Sequence, residues 1–198
     1  MNTSSQIGPC DKPKFPRDLA LAATREILVR LVTERVIVAG SLRRRKKEVG
    51  DIEILYIPKK HYQHDVEASD LFQSRARVRN LTDHSIVEMI KSGLIRPREN
   101  VLGRTTWGDK NKLAVHVASG IPVDLFATTE SAWFNYLVCR TGSAENNIRI
   151  SAAAQAKGWS WHPYALGFTN ERGNLVRVES EEDVFRLVGL PYLQPWER

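Results

Sequence analysis

The chain has 198 residues, of which 42% are hydrophobic and 26% charged, which is typical of a globular protein that buries a core. Its 29 basic and 23 acidic residues give a net charge of +6, and this excess favours a polyanionic partner. The sequence shows neither an apolar run of about 18 residues nor a signal-peptide pattern, and Cys10 and Cys139 are too far apart for a metal-ligand motif. We therefore expect a reduced, cytoplasmic monomer with no membrane partner.

The first 33 residues predict a disordered lead-in followed by one helix. Residues 1–15 are polar and contain Gly, Pro and Ser, as unstructured chain termini often do. Pro16 suits a first helical turn, and Asp18 suits the positive end of a helix. Apolar residues at helical spacing then predict a helix that continues to about Thr33.

The segment 36–56 carries the most informative pattern of the chain, VIVAGSLRRRKKEVGDIEILY. It predicts an apolar strand, a Gly40-Ser41 turn, a basic segment and a second strand. Asp51 and Glu53 lie two residues apart on that second strand, so both carboxylates project from the same face. Adjacent like charges favour a divalent cation between them, and Mg²⁺ prefers such oxygen ligands. The turn would let backbone N–H groups and a hydroxyl approach a phosphate.

The order Gly-Ser, Arg-Arg, Lys and Gly-Asp-x-Glu resembles the nucleotidyltransferase superfamily, and most closely the DNA polymerase β, or family X, branch. In that family a third carboxylate arrives from a later strand, and Asp124, within Ile-Pro-Val-Asp-Leu-Phe, fits this position. The C-terminal region, from Thr141-Gly142-Ser143 onward, resembles the thumb of family X. The resemblance covers roughly 36–56 and 121–198 and is loose between them.

The resemblance implies an α+β fold in two parts. A nucleotidyltransferase palm over 16–130 would contain a mixed or antiparallel sheet with helices on one face. A small α+β thumb subdomain would follow over 131–198, so this chain would hold only the palm and thumb of the larger enzymes.

Local patterns predict several further elements. One helix ends near Gly93, and an alanine-rich helix occupies about 144–157. Alternating apolar residues over 113–117 predict a strand that turns back at Gly120 toward the third carboxylate. Ser131 is predicted to cap the helix that follows.

The stretch 58–75 contains histidines and acidic residues, which we interpret as a solvated loop, with a metal site as the lesser alternative. They are His61, His64, Asp65, Glu67 and Asp70. Arginines and lysines from there onward form a basic zone, which is either a solvated face or a contact surface for a nucleic-acid backbone. They are Arg75, Arg77, Arg79, Lys91, Arg96, Arg98 and Arg104.

By resemblance, the chain transfers a nucleotide from a (d)NTP to a 3′-hydroxyl with two Mg²⁺ ions, for which Mn²⁺ could substitute. Asp51 and Glu53 would hold the nucleotide-associated ion, and with Asp124 they would hold the second. Asp124 or a water molecule would accept the proton of the hydroxyl. The implied nucleotide-binding positions are Gly40, Ser41, Arg44, Gly50, Cys139, Arg140, Gly142, Ser143 and Asn147.

Several positions depart from the family pattern, and they leave template use and sugar choice open. They are Glu53 for an Asp, Val49 for a phosphate-contacting Ser, Pro122 for an Arg, Cys139-Arg140 for an aromatic pair beside the sugar, and Ser151 for an Arg facing the primer. The first hypothesis is a repair-type DNA polymerase that copies gapped or primed DNA. The second is a nucleotidyltransferase that works without a template or on an RNA or protein acceptor. The third is a non-catalytic nucleic-acid-binding module.

Overall fold

The computed structural model describes residues 13–64, 76–99, 102–162 and 164–198. Most of the predicted lead-in lies outside these residues, as do Asp65, Glu67, Asp70 and Arg75, and the side chains of His64 and Arg77 are likewise not described. Within the described ranges, no helix combines the length and the apolar character needed to cross a membrane.

The N-terminal part of the chain interleaves short helices with strands. In chain order the elements are β1 (Phe15–Pro16), α1 (Arg17–Arg30), β2 (Thr33–Val38), α2 (Gly40–Arg43), β3 (Glu48–Val49), β4 (Ile52–Pro58), β5 (Lys60–His64), β6 (Ala76–Asn80), α3 (Leu81–Lys91), β7 (Ile95–Pro97), β8 (Asn111–His116) and β9 (Pro122–Ala127).

The C-terminal part is mostly helical, with one small sheet. A 3₁₀ turn (Glu130–Ala132) leads into α4 (Trp133–Thr141), α5 (Ala144–Ala156), β10 (Ser160–Trp161), β11 (Gly167–Thr169), β12 (Leu175–Arg177), α6 (Glu181–Arg186) and a second 3₁₀ turn (Pro195–Glu197). Strands β10, β11 and β12 form an antiparallel sheet in that order.

The central sheet has five strands in the order β2-β4-β9-β8-β7. Strands β4 and β9 run parallel, and the other neighbouring pairs are antiparallel, so the sheet is mixed. This arrangement confirms the predicted α+β fold. It also brings the strand with Asp124 next to the strand with Glu53, because the β8–β9 hairpin turns back at Gly120.

Helices α1 and α3 cover one face of this sheet with a continuous apolar core. Alternate strand residues supply the sheet side of the core, since successive side chains point to opposite faces. Ile52 and Ile54 of β4 and Leu125 of β9 are fully buried there against Ile27 of α1 and Ile86 of α3. The opposite face is covered by α4, whose apolar residues belong to the C-terminal part.

A second core lies within the C-terminal part. Val138, Ile150, Phe168 and Phe185 are buried together, and they come from α4, α5, β11 and α6 respectively. This region therefore has its own apolar interior, while α4 also packs on the central sheet.

Some local predictions are wrong. Helix α1 ends at Arg30, and Thr33 already belongs to β2. Phe15, at the end of the predicted lead-in, pairs with Val49. Ser131 lies in the 3₁₀ turn and gives α4 no side-chain cap, because the residue before that helix is Ala132.

Strand β8 also differs from its apolar pattern. Its buried side chains are Lys112, Ala114 and His116, whereas Val117 lies beyond the strand and is exposed. The Lys112 ammonium is buried because it pairs with Asp83 at 2.9 Å and donates to a backbone carbonyl. Polar residues occupy the core side of β8 through specific partners rather than through hydrophobicity.

Candidate active site

Two of the three predicted carboxylates lie side by side in the central sheet. Glu53 of β4 and Asp124 of β9 are direct partners across the parallel strand pair. Asp51 lies two residues before Glu53, just ahead of β4. Leu55 and Phe126, two residues further along each strand, share this face and pack against α4. The face with the carboxylates therefore points toward the C-terminal part.

The turn after β2 is held directly against Glu53. The Ala39 amide donates to the Glu53 carbonyl at 2.8 Å. Gly40 has a φ of +59°, in the left-handed region that glycine adopts without strain. A Cβ at Gly40 would overlap the Glu53 carboxylate, so both the backbone conformation and the close approach require glycine here.

The electrostatic environment of Glu53 opposes its ionisation. Burial and the neighbouring carboxylate of Asp51 raise the pKa of Glu53 to about 8, and Asp124 adds to this effect. Arg140 and Arg44 act in the opposite direction without reversing it. At neutral pH the Glu53 carboxyl therefore binds a proton unless another cation takes its place.

The residues at this site fit a divalent metal. Three carboxylates supply only hard oxygen donors, and a cation would offset the burial and the like charges that raise the pKa of Glu53. In the structure, however, the carboxylates do not form a complete metal site. Among the described residues, no three His, Cys, Asp or Glu side chains lie close enough together to hold an ion. Asp124 is paired with an arginine in the structure.

That arginine is Arg98, which follows β7. Its NH2 group lies 2.5 Å from Oδ1 of Asp124. The sequence placed Arg98 only within the basic zone, and no local pattern linked it to Asp124, 26 residues later. The contact depends on the order of strands in the sheet, which local sequence does not specify.

The basic turn, residues 40–45 with the short helix α2, supplies groups suited to a phosphate. The Ser41 hydroxyl is buried and has no hydrogen-bond partner among the described residues. The Arg44 guanidinium donates to the Thr141 carbonyl. Burial lowers the pKa of Arg44, whereas the charges of Glu53 and Asp51 raise it. A hydroxyl and a guanidinium therefore lie next to the carboxylates, as phosphate binding beside a metal requires.

Neighbouring arginines tie this turn to the C-terminal residues. Arg43 forms a bidentate ion pair with Glu181, with N–O distances of 2.5 and 2.9 Å. Arg198 donates to the same carboxylate at an N–O distance of 2.8 Å. Burial alone would raise the pKa of Glu181, but its hydrogen bonds with Arg43 and Arg198 hold it below the usual value. Arg45 lies over the ring of Trp196, 3.9 Å from its centre. The position of the turn is thus fixed from α6 and the last 3₁₀ turn.

The predicted sugar-facing segment packs in an unexpected way. The Cys139 carbonyl accepts a hydrogen bond from Nδ2 of Asn147 at 2.9 Å, which joins α4 to α5. Arg140 does not extend into solvent: its guanidinium lies over Phe126 at 3.5 Å and over Tyr164 at 4.9 Å. The structure therefore places the charge of Arg140 on the carboxylate face, and it keeps Oδ1 of Asn147 buried without a partner among the described residues.

The remaining predicted nucleotide-binding positions lie around these groups. Gly142 has a φ of +65°, and a Cβ there would touch the Arg44 guanidinium. Ser143 caps α5 by accepting from the Asn146 amide at 3.4 Å. Gly50 lies between β3 and β4, immediately before the first carboxylate.

The residues between the Glu53 strand and the Asp124 strand contribute less to the site. His61 is exposed in β5, and within the described ranges it joins no group of metal-binding side chains. Arg79, Lys91, Arg96 and Arg104 are exposed as well. Arg98, by contrast, forms an ion pair with the predicted catalytic carboxylate Asp124.

A mixed sheet with paired carboxylates beside a glycine-serine turn agrees with the nucleotidyltransferase resemblance of the sequence. Comparisons with known proteins indicate a more specific resemblance. Residues 136–198 match the family described as DNA polymerase beta thumb. The chain is also 28% identical over 171 residues to DNA polymerase lambda of Rattus norvegicus, a match that covers 82% of this chain. Both matches confirm that the chain resembles family X DNA polymerases.

The similarity concerns only part of the rat protein. The match covers 28% of the length of DNA polymerase lambda, so this chain spans little more than a quarter of that relative. The thumb match begins at residue 136, inside α4, and includes the second core and the Arg43 partner Glu181.

Proposed function

We propose that the chain catalyses metal-dependent transfer of a nucleotide from a (d)NTP to a 3′-hydroxyl, in the form of template-directed synthesis on gapped or primed DNA. The observation that supports this most directly is the register of Glu53 beside Asp124 on parallel strands, with Asp51 two residues before Glu53. The similarity to a DNA polymerase and the excess of basic residues favour DNA as the partner.

Asp51 and Glu53 would hold the metal that accompanies the nucleotide, and Asp124 would join them for the second. When bound, Mg²⁺ or Mn²⁺ supplies Lewis-acid chemistry, which lowers the pKa of the attacking hydroxyl and neutralises phosphate charge. The carboxylate of Asp124 or a water molecule accepts the proton of that hydroxyl.

The chain's own residues position the triphosphate. The Ser41 hydroxyl, unpaired among the described residues, donates to a phosphate oxygen, and Arg44 supplies positive charge as pyrophosphate leaves. Arg43 holds the turn in place through Glu181, so it acts on the substrate through neighbouring residues. Asn147, with its Oδ1 unpaired among described groups, is placed to contact the nucleotide.

Extension of a labelled primer tests this proposal. A primed template should be extended with the complementary nucleotide when Mg²⁺ is present, and the same primer without template should not. Asp51→Ala should abolish extension, while Asp109→Ala, which removes an exposed carboxylate in a distant turn, should not. Absence of extension under both Mg²⁺ and Mn²⁺ would refute the proposal.

A second candidate is nucleotide addition without a template. The departures Pro122 and Ser151 favour it, because each replaces an arginine of the family pattern, and the arginine that Ser151 replaces faces the primer and template. Equal extension of single-stranded and primed substrates would establish this alternative. DNA binding without any turnover would instead indicate the non-catalytic module.

A further inference from the structure

The ion pair between Arg98 and Asp124 is the feature of the candidate site that the proposed reaction does not use. Both side chains are largely withdrawn from solvent, with 25% of Arg98 and 15% of Asp124 exposed. The guanidinium and the carboxylate are in direct, charge-assisted hydrogen-bond contact, with an N–O separation of 2.5 Å. The pair therefore fixes the direction of the third carboxylate.

The central sheet explains how the two residues meet. Glu53 of β4 lies opposite Asp124 of β9, and Asp124 lies opposite Leu113 of β8. The Arg98 amide donates to the Leu113 carbonyl at 3.0 Å, which puts Arg98 at the end of this row. The arginine side chain then reaches across Leu113 to the carboxylate. Three strands are needed to build the contact.

The pair has a chemical consequence for metal binding. A guanidinium on Asp124 competes with a divalent cation for the same oxygen and repels it. Arg98 is not fully satisfied by Asp124, because its Nε is buried without a hydrogen-bond partner among the described residues. A guanidinium binds a phosphate with the same forked geometry that it uses for a carboxylate. The Arg98 guanidinium can therefore exchange the Asp124 carboxylate for a phosphate.

We propose that Arg98 is a latch on the third metal ligand. In the free protein it holds Asp124 away from the metal position, and when nucleic acid binds it transfers to a backbone phosphate of the acceptor strand. Asp124 is then released to complete the site. This inference rests on the proposed function, and it assigns Arg98 a positioning role that makes metal binding depend on the acceptor.

The latch predicts a reciprocal effect. If nucleic acid releases Asp124, it tightens metal binding, and the metal must tighten nucleic-acid binding by the same factor. Couplings between two sites in proteins typically reach about 5-fold to 150-fold. A residue that only stabilised the fold would not alter this factor.

The test measures Mn²⁺ binding rather than catalysis. Free Mn²⁺ is followed by electron paramagnetic resonance during titration of the full chain, with and without a primed DNA duplex and without nucleotide. The wild-type protein should bind Mn²⁺ at least about fivefold more tightly with the duplex. Arg98→Ala should bind Mn²⁺ more tightly than wild type in the absence of DNA, and it should show little further gain when DNA is added.

Two variants serve as controls. Arg96→Ala removes an equal charge from an exposed position two residues earlier, so it should weaken DNA binding slightly and keep the full coupling. Arg98→Lys keeps the positive charge but loses the bidentate donor geometry of the guanidinium, so it should retain part of the coupling. This variant keeps the test valid even if Arg98→Ala is poorly folded. Full coupling in both Arg98 variants would overturn the latch.

The outcome also separates this inference from the proposed function. Asp124→Ala should lower the Mn²⁺ affinity of the DNA complex. If Asp124→Ala does so but Arg98 variants leave the coupling unchanged, the latch is wrong and the metal site stands. If Mn²⁺ binding is insensitive to both Asp51→Ala and Asp124→Ala, the proposed function fails, and the latch fails with it.

Discussion

The two faces of the central sheet follow the same alternation of side chains but bury different chemistry. On the α1 and α3 face, Ile52, Ile54 and Leu125 are fully buried among apolar neighbours. On the α4 face, Leu55 and Phe126 are also buried, but the positions two residues earlier are Glu53 and Asp124. One face contributes stability along its whole length, whereas the other becomes a charged site at one end. A strand can therefore serve both purposes because its two sides are independent.

The largest effect is expected on the charged face. Asp124→Ala should lower the turnover of primer extension by about a thousandfold or more, since it removes an interaction that matters at the transition state. Affinity for Mg²⁺-nucleotide should remain substantial, because Asp51 and Glu53 are intact. Because this change also leaves the partly buried Arg98 guanidinium without its carboxylate partner, turnover is compared per folded molecule. Normal turnover in this variant would show that the two faces do not differ in the way proposed.

A substitution on the apolar face should instead lower stability and leave turnover nearly unchanged. Ile54→Ala removes a fully buried side chain and should lower the free energy of unfolding by about 2–5 kcal/mol. Val29→Ala, at a position that is 84% exposed, should change it by less than about 0.5 kcal/mol. Urea denaturation measures both. Turnover per folded Ile54→Ala molecule should stay within a few-fold of wild type, and a larger loss would mean that the faces are coupled.

A smaller effect concerns the pH dependence of stability. The pKa of Glu53 rises from 4.5 to about 8 on folding, so between these values the folded state keeps a proton that the unfolded chain releases. In the absence of metal, the contribution of Glu53 to the free energy of unfolding should therefore be most favourable below about pH 4.5. This contribution should fall by on the order of a few kcal/mol as the pH rises to about 8.

Glu53→Gln isolates this contribution, because the amide does not titrate. The difference in unfolding free energy between pH 5.5 and pH 8.5, with a chelator present, should be smaller in this variant than in wild type. The comparison uses urea denaturation at both pH values. An equal slope in the two proteins would assign the pH dependence to other groups.

The smallest effect concerns sugar choice at the edge of the charged face. Cys139 and Arg140 replace two rigid rings, and the Arg140 guanidinium is packed on Phe126. A pocket without a physical block rejects an added hydroxyl by about a hundredfold or less. The ratio of kcat/KM for matched dNTP and rNTP should therefore lie below this value. A ratio above about a thousandfold would identify the Cys139 carbonyl as the barrier.

Sequence reasoning found the features that depend on short segments. The alternation over 36–56 predicts the strands on either side of the Gly40 turn, and the mixed α+β fold follows from the resemblance. The family resemblance, supported by the apolar flanks, predicts Asp124 as the third carboxylate, and the structure brings it next to Glu53. These features survive because strand periodicity and glycine conformation are local properties.

The features that sequence reasoning missed depend on long-range register. Arg98 meets Asp124 only because β7, β8 and β9 are neighbours, and nothing within either segment encodes this order. Lys112 is buried because Asp83, on another element, neutralises it. Ser131 has the chemistry of a helix cap but lies one residue too early, in a 3₁₀ turn. In each case a tertiary contact overrides the preference of the residue.

The packing of Trp196 on Arg45 has an optical consequence. The indole remains 45% exposed while its other side lies against the Arg45 guanidinium, next in sequence to Arg44. Emission from an indole depends on whether a cation or water lies beside its ring. Because Arg45 belongs to the turn that faces the carboxylates, any displacement of that turn alters the surroundings of Trp196. Trp196 is thus a native fluorophore whose surroundings depend on the position of this turn, and it needs no chemical label.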